Sequence, residues 1–238
     1  MTTHIVTAGG GGFSMSSTGS VTPLDHFVLE LADKPKPLVC FVPTASADDP
    51  RYINRFLTAY GAMGVRTMVC TLWRDAATSV SRLEEADVIL VGGGSTVNLM
   101  ALWDAHGVSR KIKDLAADSR NIVLAGTAAG GAAFYDGCVT DSFGDLRPWR
   151  GGVGLLPGSF CPHYNGEDTR QPIFVDAIGR GDLPPGYGVD DGAAIHYVDG
   201  VIKSYIADTV HTKVYRVEDS LSPTSSGVTV QPQKMKVV

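Results

Sequence analysis

Short apolar runs alternate along the chain with segments in which apolar residues recur every three or four positions. Such runs are typical of strands buried on both faces of a sheet, and the wider spacing is typical of amphipathic helices. In the first half of the chain the runs predict five strands, at 4–7, 38–42, 65–72, 87–91 and 121–125. Helices are predicted at 51–63, at 81–86, from a cap at Ser95 or Thr96 to Leu102, and at 109–118.

The order of these elements predicts an α/β fold with a mainly parallel sheet that is covered by helices on both faces. Beyond Gly151 the pattern changes to turn-rich pieces, with a helix near 172–179 and strands at 193–197, 201–206 and 213–217. We interpret this part as an antiparallel C-terminal extension of the same domain, so that residues 1–219 form one unit. Residues 220–238 are largely polar, and we expect a flexible tail there.

Four segments rich in small residues follow predicted strands directly, at 9–12, 43–46, 92–95 and 126–131. The carboxyl ends of parallel strands lie at one edge of a sheet, and ligands of such sheets bind outside that edge. We therefore expect the four segments to lie close together and to form a ligand site.

The last of these segments has the frame of a nucleophile elbow. Gly126 and Gly130 flank Ala128 between a strand and a helix, and the G-x-S-x-G pattern in that context exposes its central residue over the sheet edge. The central residue is alanine here, and a methyl group cannot attack a carbonyl. By itself, the pattern is equally typical of a tight turn in which small residues are needed for packing.

Two further segments carry groups that could serve a nucleophile at this position. His163 lies in a turn-rich loop, and Asp190 and Asp191 come just before a strand. Each is, taken alone, more typical of a structural role. Together they give the chain order of nucleophile position, histidine and acid, and the N–H groups of 92–95 could bind an oxyanion.

The composition excludes several other classes of function. The 238 residues include 20 Lys and Arg against 25 Asp and Glu, a net charge of −5, so we expect no nucleic-acid partner. No long apolar segment or signal peptide is evident, and the four scattered cysteines are typical of reduced thiols, so we expect a cytoplasmic protein without a membrane partner. No metal-ligand spacing such as HExxH occurs, and we expect neither a metal nor an organic cofactor.

Six segments resemble the aspartyl dipeptidase (peptidase E) and cyanophycinase family of serine peptidases. They occur in the order that is typical of the family and cover most of residues 1–217. The segments are FVPTAS at 41–46, VGGGSTVNLMALW at 91–103, VLAGTAAGGAAFY at 123–135, TDSFG at 140–144, GLLPGSFCPHYNGEDTR at 154–170 and GYGVDDGAAIHYVDG at 186–200. The resemblance implies a doubly wound sheet, similar to flavodoxin and to class I amidotransferases, and a Ser-His-Asp/Glu triad.

Carried over to this sequence, the resemblance places the serine at Ala128 and the general base at His163. The acid that it favours is Asp191, with Asp141 and Asp190 as alternatives. It implies hydrolysis of short, acidic peptides with an N-terminal aspartate. A homodimer is compatible with the sequence, and cleavage of a β-aspartyl polymer is the alternative activity in the same family.

The resemblance also implies donors for the oxyanion and groups that bind the substrate. The donors would be the N–H of Ala129 and that of Gly93 or Gly94. Arg170 would bind the aspartate carboxylate, because a guanidinium can hold a carboxylate by two hydrogen bonds. Asn165 is a second substrate-binding candidate, and the competing interpretation of Arg170 is a surface ion pair with a neighbouring acid.

The alanine at the nucleophile position implies that this chain is catalytically disabled. One interpretation is an engineered Ser-to-Ala change, which we favour because His163 and Asp191 are still present. The other is a natural, inactive relative that binds acidic peptides. Thr127 and Ser95 are poor substitutes for the missing serine, because Thr127 should point away from the elbow and Ser95 should cap a helix.

Overall fold

The computed structural model describes residues 2–118, 120–219 and 227–238, which form fourteen strands and seven α-helices. In chain order the strands are β1 (Thr3–Ala8), β2 (Leu38–Val42), β3 (Arg66–Val69), β4 (Val88–Val91), β5 (Ile122–Thr127), β6 (Tyr135–Thr140), β7 (Arg147–Arg150), β8 (Leu156–Cys161), β9 (Gly186–Val189), β10 (Ala193–Val198), β11 (Val201–Ala207), β12 (Val214–Asp219), β13 (Val228–Pro232) and β14 (Met235–Val237). The helices are α1 (Pro23–Glu30), α2 (Pro50–Gly61), α3 (Ala76–Ser81), α4 (Thr96–His106), α5 (Val108–Ala117), α6 (Ala129–Ala132) and α7 (Arg170–Gly179).

The five strands predicted in the first half of the chain form the parallel part of an eight-stranded sheet. Its order is β14-β11-β10-β1-β5-β4-β2-β3, and β1, β5, β4, β2 and β3 are mutually parallel. The strands β10 and β11 extend this sheet in antiparallel fashion beyond β1. The predicted fold class, a mainly parallel α/β sheet with an antiparallel extension, is therefore confirmed.

The central strands of this sheet are buried on both faces, which explains why β2 and β4 contain only apolar residues. On β2, Val39 and Phe41 pack with α1 and α2, whereas Cys40 and Val42 face the core that contains α4 and α5. Alternate residues of a strand point to opposite faces, so a strand between two helical layers must be apolar at every position. The sheet is thus doubly wound.

A second sheet of six strands, in the order β13-β12-β9-β8-β6-β7, was not foreseen from the sequence. One of its faces shares the core of the first sheet through residues such as Phe160 and Val214, and the other packs on α7 through Val139 and Val217. The strands β6, β8 and β9 are parallel to one another, and the outer pairs are antiparallel. The helix predicted at 81–86 differs in its bounds, because α3 ends at Ser81. Residues 82–85 form a 3₁₀ turn in which Leu83 is buried.

Part of the segment that we expected to be a flexible tail is paired with the two sheets. Residues 220–226 lie outside the described residues, whereas β13 pairs with β12 and β14 pairs with β11. Both β12 and β11 offer unpaired backbone groups on their outer edge, and the last residues of the chain satisfy them. No helix in the part of the chain that the structure describes is long and apolar enough to cross a membrane.

Candidate active site

The turn between β5 and α6 holds Ala128 in a conformation that few residues other than glycine adopt. Ala128 has φ +49° and ψ −115°, a strained conformation that costs on the order of 1–3 kcal/mol. Its N–H donates a hydrogen bond to the carbonyl oxygen of Ala8 at 3.0 Å, which ties the turn to the end of β1. Such a strained strand-to-helix turn is the backbone shape of a nucleophile elbow.

The two glycines of the elbow are required by close packing. A Cβ on Gly126 would lie 2.3 Å from the carbonyl oxygen of Gly130, and a Cβ on Gly130 would lie 2.3 Å from that of Val91. No side chain fits at such distances, so only glycine allows the turn to fold onto itself and onto β4. The spacing of small residues thus has a steric cause, which fits both the packing and the elbow interpretation.

His163 and Asp191 meet at the same edge of the sheets. The distance from His163 Nδ1 to Asp191 Oδ1 is 2.5 Å, and both side chains are only partly exposed. With Nδ1 donating to the carboxylate, Nε2 of the imidazole is free to accept a proton. His163 follows β8 and Asp191 follows β9, two neighbouring parallel strands of the second sheet, so the pair is a consequence of strand order.

Gly10 packs against this pair, a role that sequence reasoning did not assign to it. A Cβ at position 10 would lie 2.0 Å from Asp191 Oδ1 and 2.8 Å from His163 Cε1. The backbone of Gly10 also forms a bridge with that of Asp191. The glycine-rich segment after β1 indicated a close approach of some kind, but its partners come from residues more than 150 positions away in the chain.

Asp190 and Asn165 lie near the pair and have other partners. Asp190 accepts hydrogen bonds from the backbone N–H groups of Asn165 at 3.2 Å and Lys213 at 2.9 Å, and burial raises the pKa of its carboxyl. It thereby ties the loop of His163 to the start of β12. The Asn165 side chain donates to Tyr215 Oη at 3.0 Å, and the residue is exposed.

Asp141, the other alternative acid, lies beside Arg170 instead of His163. Its Oδ2 is 3.7 Å from Arg170 Nη2. Arg170 is only 4% exposed, and its Nε and Nη2 donate to the two carboxylate oxygens of Glu167 at 2.7 and 3.4 Å. The ion pair with Glu167 that we considered is therefore present, but the arginine in it is buried instead of lying on the surface.

A cavity of about 200 Å³ connects the elbow with these groups. It is lined by Gly94, Thr96, Ala128, Ala129, Val139, Thr140, Asp141, Pro162, His163, Glu167 and Arg170. The segments that follow β4, β5, β6 and β8 meet here. The structure thus brings together the sequence-predicted positions 94, 128, 129, 141, 163 and 170, whereas positions 93, 165, 190 and 191 do not line the cavity.

Two backbone N–H groups are available beside Ala128. Ala129 is the first residue of α6, where N–H groups have no partner within the helix. Gly94 has φ +141° and lies against the Ala45 carbonyl, and its N–H has no acceptor among the described residues. The N–H of Gly93 donates to Tyr52 Oη at 3.4 Å. Of the two glycines that we considered, Gly94 therefore has the freer donor.

Neither of the two hydroxyl groups that we considered lines the cavity with Ala128 and His163. Thr127 lines a separate apolar cavity of about 30 Å³ next to α1, which contains neither Ala128 nor His163. Ser95 is the N-cap of α4, and its hydroxyl accepts a hydrogen bond from the N–H of Asn98 at 3.3 Å. Both side chains therefore lie as we expected, that of Thr127 away from the elbow and that of Ser95 as a helix cap.

Comparisons with known proteins cover most of the chain. Residues 5–205 match Peptidase family S51. An uncharacterized peptidase of Bacillus subtilis (strain 168), YgaJ, is 37% identical over 215 residues, which are 90% of this chain and 91% of that protein.

Two solved structures share the fold at low sequence identity. A peptidase from an acI-B1 Actinobacterium superimposes with a TM-score of 0.64 at 15% identity, over 98% of this chain and 96% of that one. A protein of Listeria monocytogenes EGD-e, provisionally named a peptidase E protein, gives a TM-score of 0.63 at 18% identity, over 85% of this chain and 98% of that one.

Proposed function

Because the chain belongs to peptidase family S51, we propose that it has the active site of a serine-type dipeptidase that removes an N-terminal aspartate, with the nucleophile position occupied by Ala128. The observation that carries this proposal is the His163–Asp191 pair, 2.5 Å apart, whose histidine lines the same cavity as the strained elbow residue. A histidine held by a carboxylate beside an elbow is the arrangement that activates a serine hydroxyl.

A serine at position 128 would react by acyl transfer. Its Oγ attacks the peptide carbonyl carbon while His163 takes the hydroxyl proton, and Asp191 stabilises the imidazolium that forms. The N–H groups of Ala129 and Gly94 donate to the oxyanion. The C–N bond then breaks as His163 protonates the leaving amine, and a water molecule hydrolyses the ester by the reverse sequence of proton transfers.

The alanine removes the atom that forms the ester. Loss of a triad nucleophile lowers turnover by about 10⁶-fold, although a residual rate can persist from binding and oxyanion stabilisation. The chain as it stands is therefore expected to bind peptides without cleaving them. An engineered replacement and a natural, inactive relative both predict this behaviour, and the second would make peptide binding itself the function.

The preference for an acidic N-terminal residue is supported by Arg170, a buried cation in the wall of the cavity. The cavity volume of about 200 Å³ favours a short substrate, since pockets for drug-sized ligands measure about 300–1,000 Å³. Cleavage of a β-aspartyl polymer, the alternative activity, would need a longer groove. The four cysteines are all unpaired, and we accordingly propose a reducing, cytoplasmic location.

The experiment that tests this function restores the nucleophile. We expect Ala128→Ser to cleave Asp-Leu and to spare Leu-Leu and a β-aspartyl-arginine dipeptide, and we expect the chain as it stands to cleave none of the three. Release of free leucine or arginine is the measurement. The double variant Ala128→Ser, His163→Gln is the control, and it should return to the rate of the parent chain.

Two results would contradict parts of the proposal. Cleavage of the β-aspartyl dipeptide alone by Ala128→Ser would replace the dipeptidase with the polymer-degrading activity. If the serine variant were inert towards all three peptides while acidic peptides still bound, the chain would be a binding protein.

A further inference from the structure

Besides the elbow residues, the lining of the cavity combines two acids with one arginine. We call these residues, Asp141, Glu167 and Arg170, the acid–arginine cluster. Both carboxylates lie within ion-pair distance of the guanidinium. Two carboxylates against one guanidinium leave one negative charge without a partner. If the ligand brought only a carboxylate, the two acids of this cluster would repel it and weaken its binding.

The arginine of the cluster still has donors to spare. Arg170 uses Nε and Nη2 for Glu167 and Asp141, and its Nη1 has no acceptor among the described residues. Its side chain is 5% exposed, whereas the side chains of Glu167 and Asp141 are 50% and 60% exposed. One N–H₂ group of a buried guanidinium is therefore left to donate to a ligand carboxylate, and two accessible carboxylates remain for a ligand cation.

We propose that Glu167 and Asp141 bind the α-ammonium group of the substrate's first residue, while Arg170 binds the carboxylate of the same residue. This inference rests on the proposed function, because it takes the peptide bond to lie at Ala128. In an N-terminal residue the ammonium nitrogen is two bonds from the carbonyl carbon under attack, so its partners must line the same cavity. Glu167 and Asp141 are the carboxylates in the described lining of the cavity.

The acid–arginine cluster thereby selects a free N-terminal aspartate by both of its charges. The ammonium supplies the positive charge that the two acids lack, and the carboxylate meets the donors that Arg170 has to spare. A carboxylate without the ammonium would add a second uncompensated negative charge to a partly buried site, which is costly. A peptide with a blocked or internal aspartate brings the carboxylate without the ammonium and leaves the acids unpaired. The enzyme would then remove single N-terminal residues and leave internal bonds intact.

The test compares two ligands that differ only in the ammonium group. Succinyl-leucine is Asp-Leu with a hydrogen in place of the α-ammonium, so it keeps the side-chain carboxylate and the leaving group. The probes are titrated by calorimetry into the chain as it stands, in which Ala128 prevents turnover. We expect Asp-Leu to bind about ten-fold or more tightly than succinyl-leucine, the effect of losing one charged hydrogen bond.

Variants assign this difference to the two acids. We expect Glu167→Gln and Asp141→Asn each to reduce the ratio of the two affinities, whereas Asp168→Asn should leave it unchanged. Asp168 is a matched control because it is the exposed neighbour of Glu167 and does not line the cavity. The ratio between two probes is informative even if a variant is less stable, since loss of folded protein lowers binding of both probes equally.

The possible failures are distinguishable. Equal affinity of the parent chain for Asp-Leu and succinyl-leucine would overturn the ammonium site and leave the proposed hydrolysis intact. A ratio that survives in both acid variants would place the ammonium elsewhere and would likewise overturn this inference. If the parent chain bound neither probe, the proposed preference for aspartate would fall, and the inference with it.

Discussion

A methyl group at position 10 would occupy the space that the His163–Asp191 pair uses. In Gly10→Ala the new Cβ would lie 2.0 Å from Asp191 Oδ1, so the carboxylate and the imidazole must shift. A displacement of about 1 Å in a catalytic group can lower the rate by about 100-fold. We expect a loss of this size in kcat when Gly10→Ala is added to Ala128→Ser, measured by leucine release from Asp-Leu.

The control for Gly10 is the same substitution where space is open. Gly61 ends α2, is exposed, and has no atom within 4 Å of a Cβ built there. Gly61→Ala should leave kcat unchanged, and it should stabilise the helix by a few tenths to about 1 kcal/mol. Full activity of the Gly10→Ala variant would show that the pair tolerates displacement or that it does not act in catalysis.

At the level of single residues, the sequence predicted which residue types occur in the site and how they are spaced, but not which side chains are in contact. The strained turn at Ala128 follows from its flanking glycines, which can be read from the chain. The local sequence does not show which acid is the partner of His163, because each candidate, Asp141, Asp190 or Asp191, is a carboxylate in a loop. The hydrogen bond of Asp191 to His163 depends on how β8 and β9 pair, which is a tertiary fact.

Among the secondary-structure elements, β1 and β10 are joined by two stacked histidines. His4 Nδ1 lies 2.9 Å from His196 Nε2, and the rings are 5.2 Å apart. Burial, together with the positive potential of His4, Lys203 and Lys236, lowers the pKa of His196 to about 4. Burial also lowers the pKa of His4, although Asp199 acts in the opposite direction.

These histidines predict sensitivity of the sheet to acid. The ordinary pKa of histidine is 6.5, so above this value both the folded and the unfolded chain carry it neutral. As the pH falls from 6.5 towards about 4, His196 binds a proton in the unfolded chain but not in the folded chain, so the free energy of unfolding decreases. We expect the urea midpoint of unfolding to fall less between about pH 7.5 and about pH 5 in His196→Gln than in the parent.

The control for this pH effect is an exposed histidine. His211 lies in a loop and is exposed, and His211→Gln should show the same decline in midpoint as the parent chain. Glutamine at position 196 also changes the packing against Phe27, which lowers the midpoint at both pH values. An unchanged decline in His196→Gln would therefore contradict the assignment, whatever the midpoint at neutral pH.

The elements differ in how well the sequence predicts them, and the reason is burial. Strands β2 and β4 are covered on both faces and consist of apolar residues only, and β1 and β5, which are also largely buried, have an apolar centre. The second sheet contains strands with internal glycine or proline, such as β7, β8 and β9. Their sequences resemble loops, and only pairing with neighbours makes them strands.

The last strands of the chain matter for the stability of the whole molecule. Val228 and Val230 of β13 pack on the cluster of α7 and β12, and β14 completes the edge of the larger sheet. We expect a chain that ends at Asp219 to lose about 2 kcal/mol or more of unfolding free energy, from the apolar surface and hydrogen bonds that it forfeits. Urea denaturation of the two chain lengths measures this.

A comparison of the two lengths also tests the flexible-tail expectation. A tail without stable contacts would leave the urea midpoint of the shortened chain equal to that of the full chain, and this result would contradict the pairing of β13 and β14. The control is Lys234→Ala, a change between the two strands that removes no backbone pairing and should leave the midpoint unchanged.

For the molecule as a whole, the sequence by itself determined the parallel sheet, the sheet edge at which the site lies and the chemical types in it. These follow from local causes, namely apolar runs, small residues after strands, and a histidine and acids in loops. Only the tertiary structure decided which acid meets His163, why Gly10 is glycine, and that Arg170 is already paired with Glu167. The first contact joins the ends of β8 and β9, and Gly10 brings the end of β1 from the other sheet against them, so no local pattern records which strands become neighbours. The Arg170–Glu167 pair spans only three residues, and what the tertiary structure adds there is the burial of the arginine.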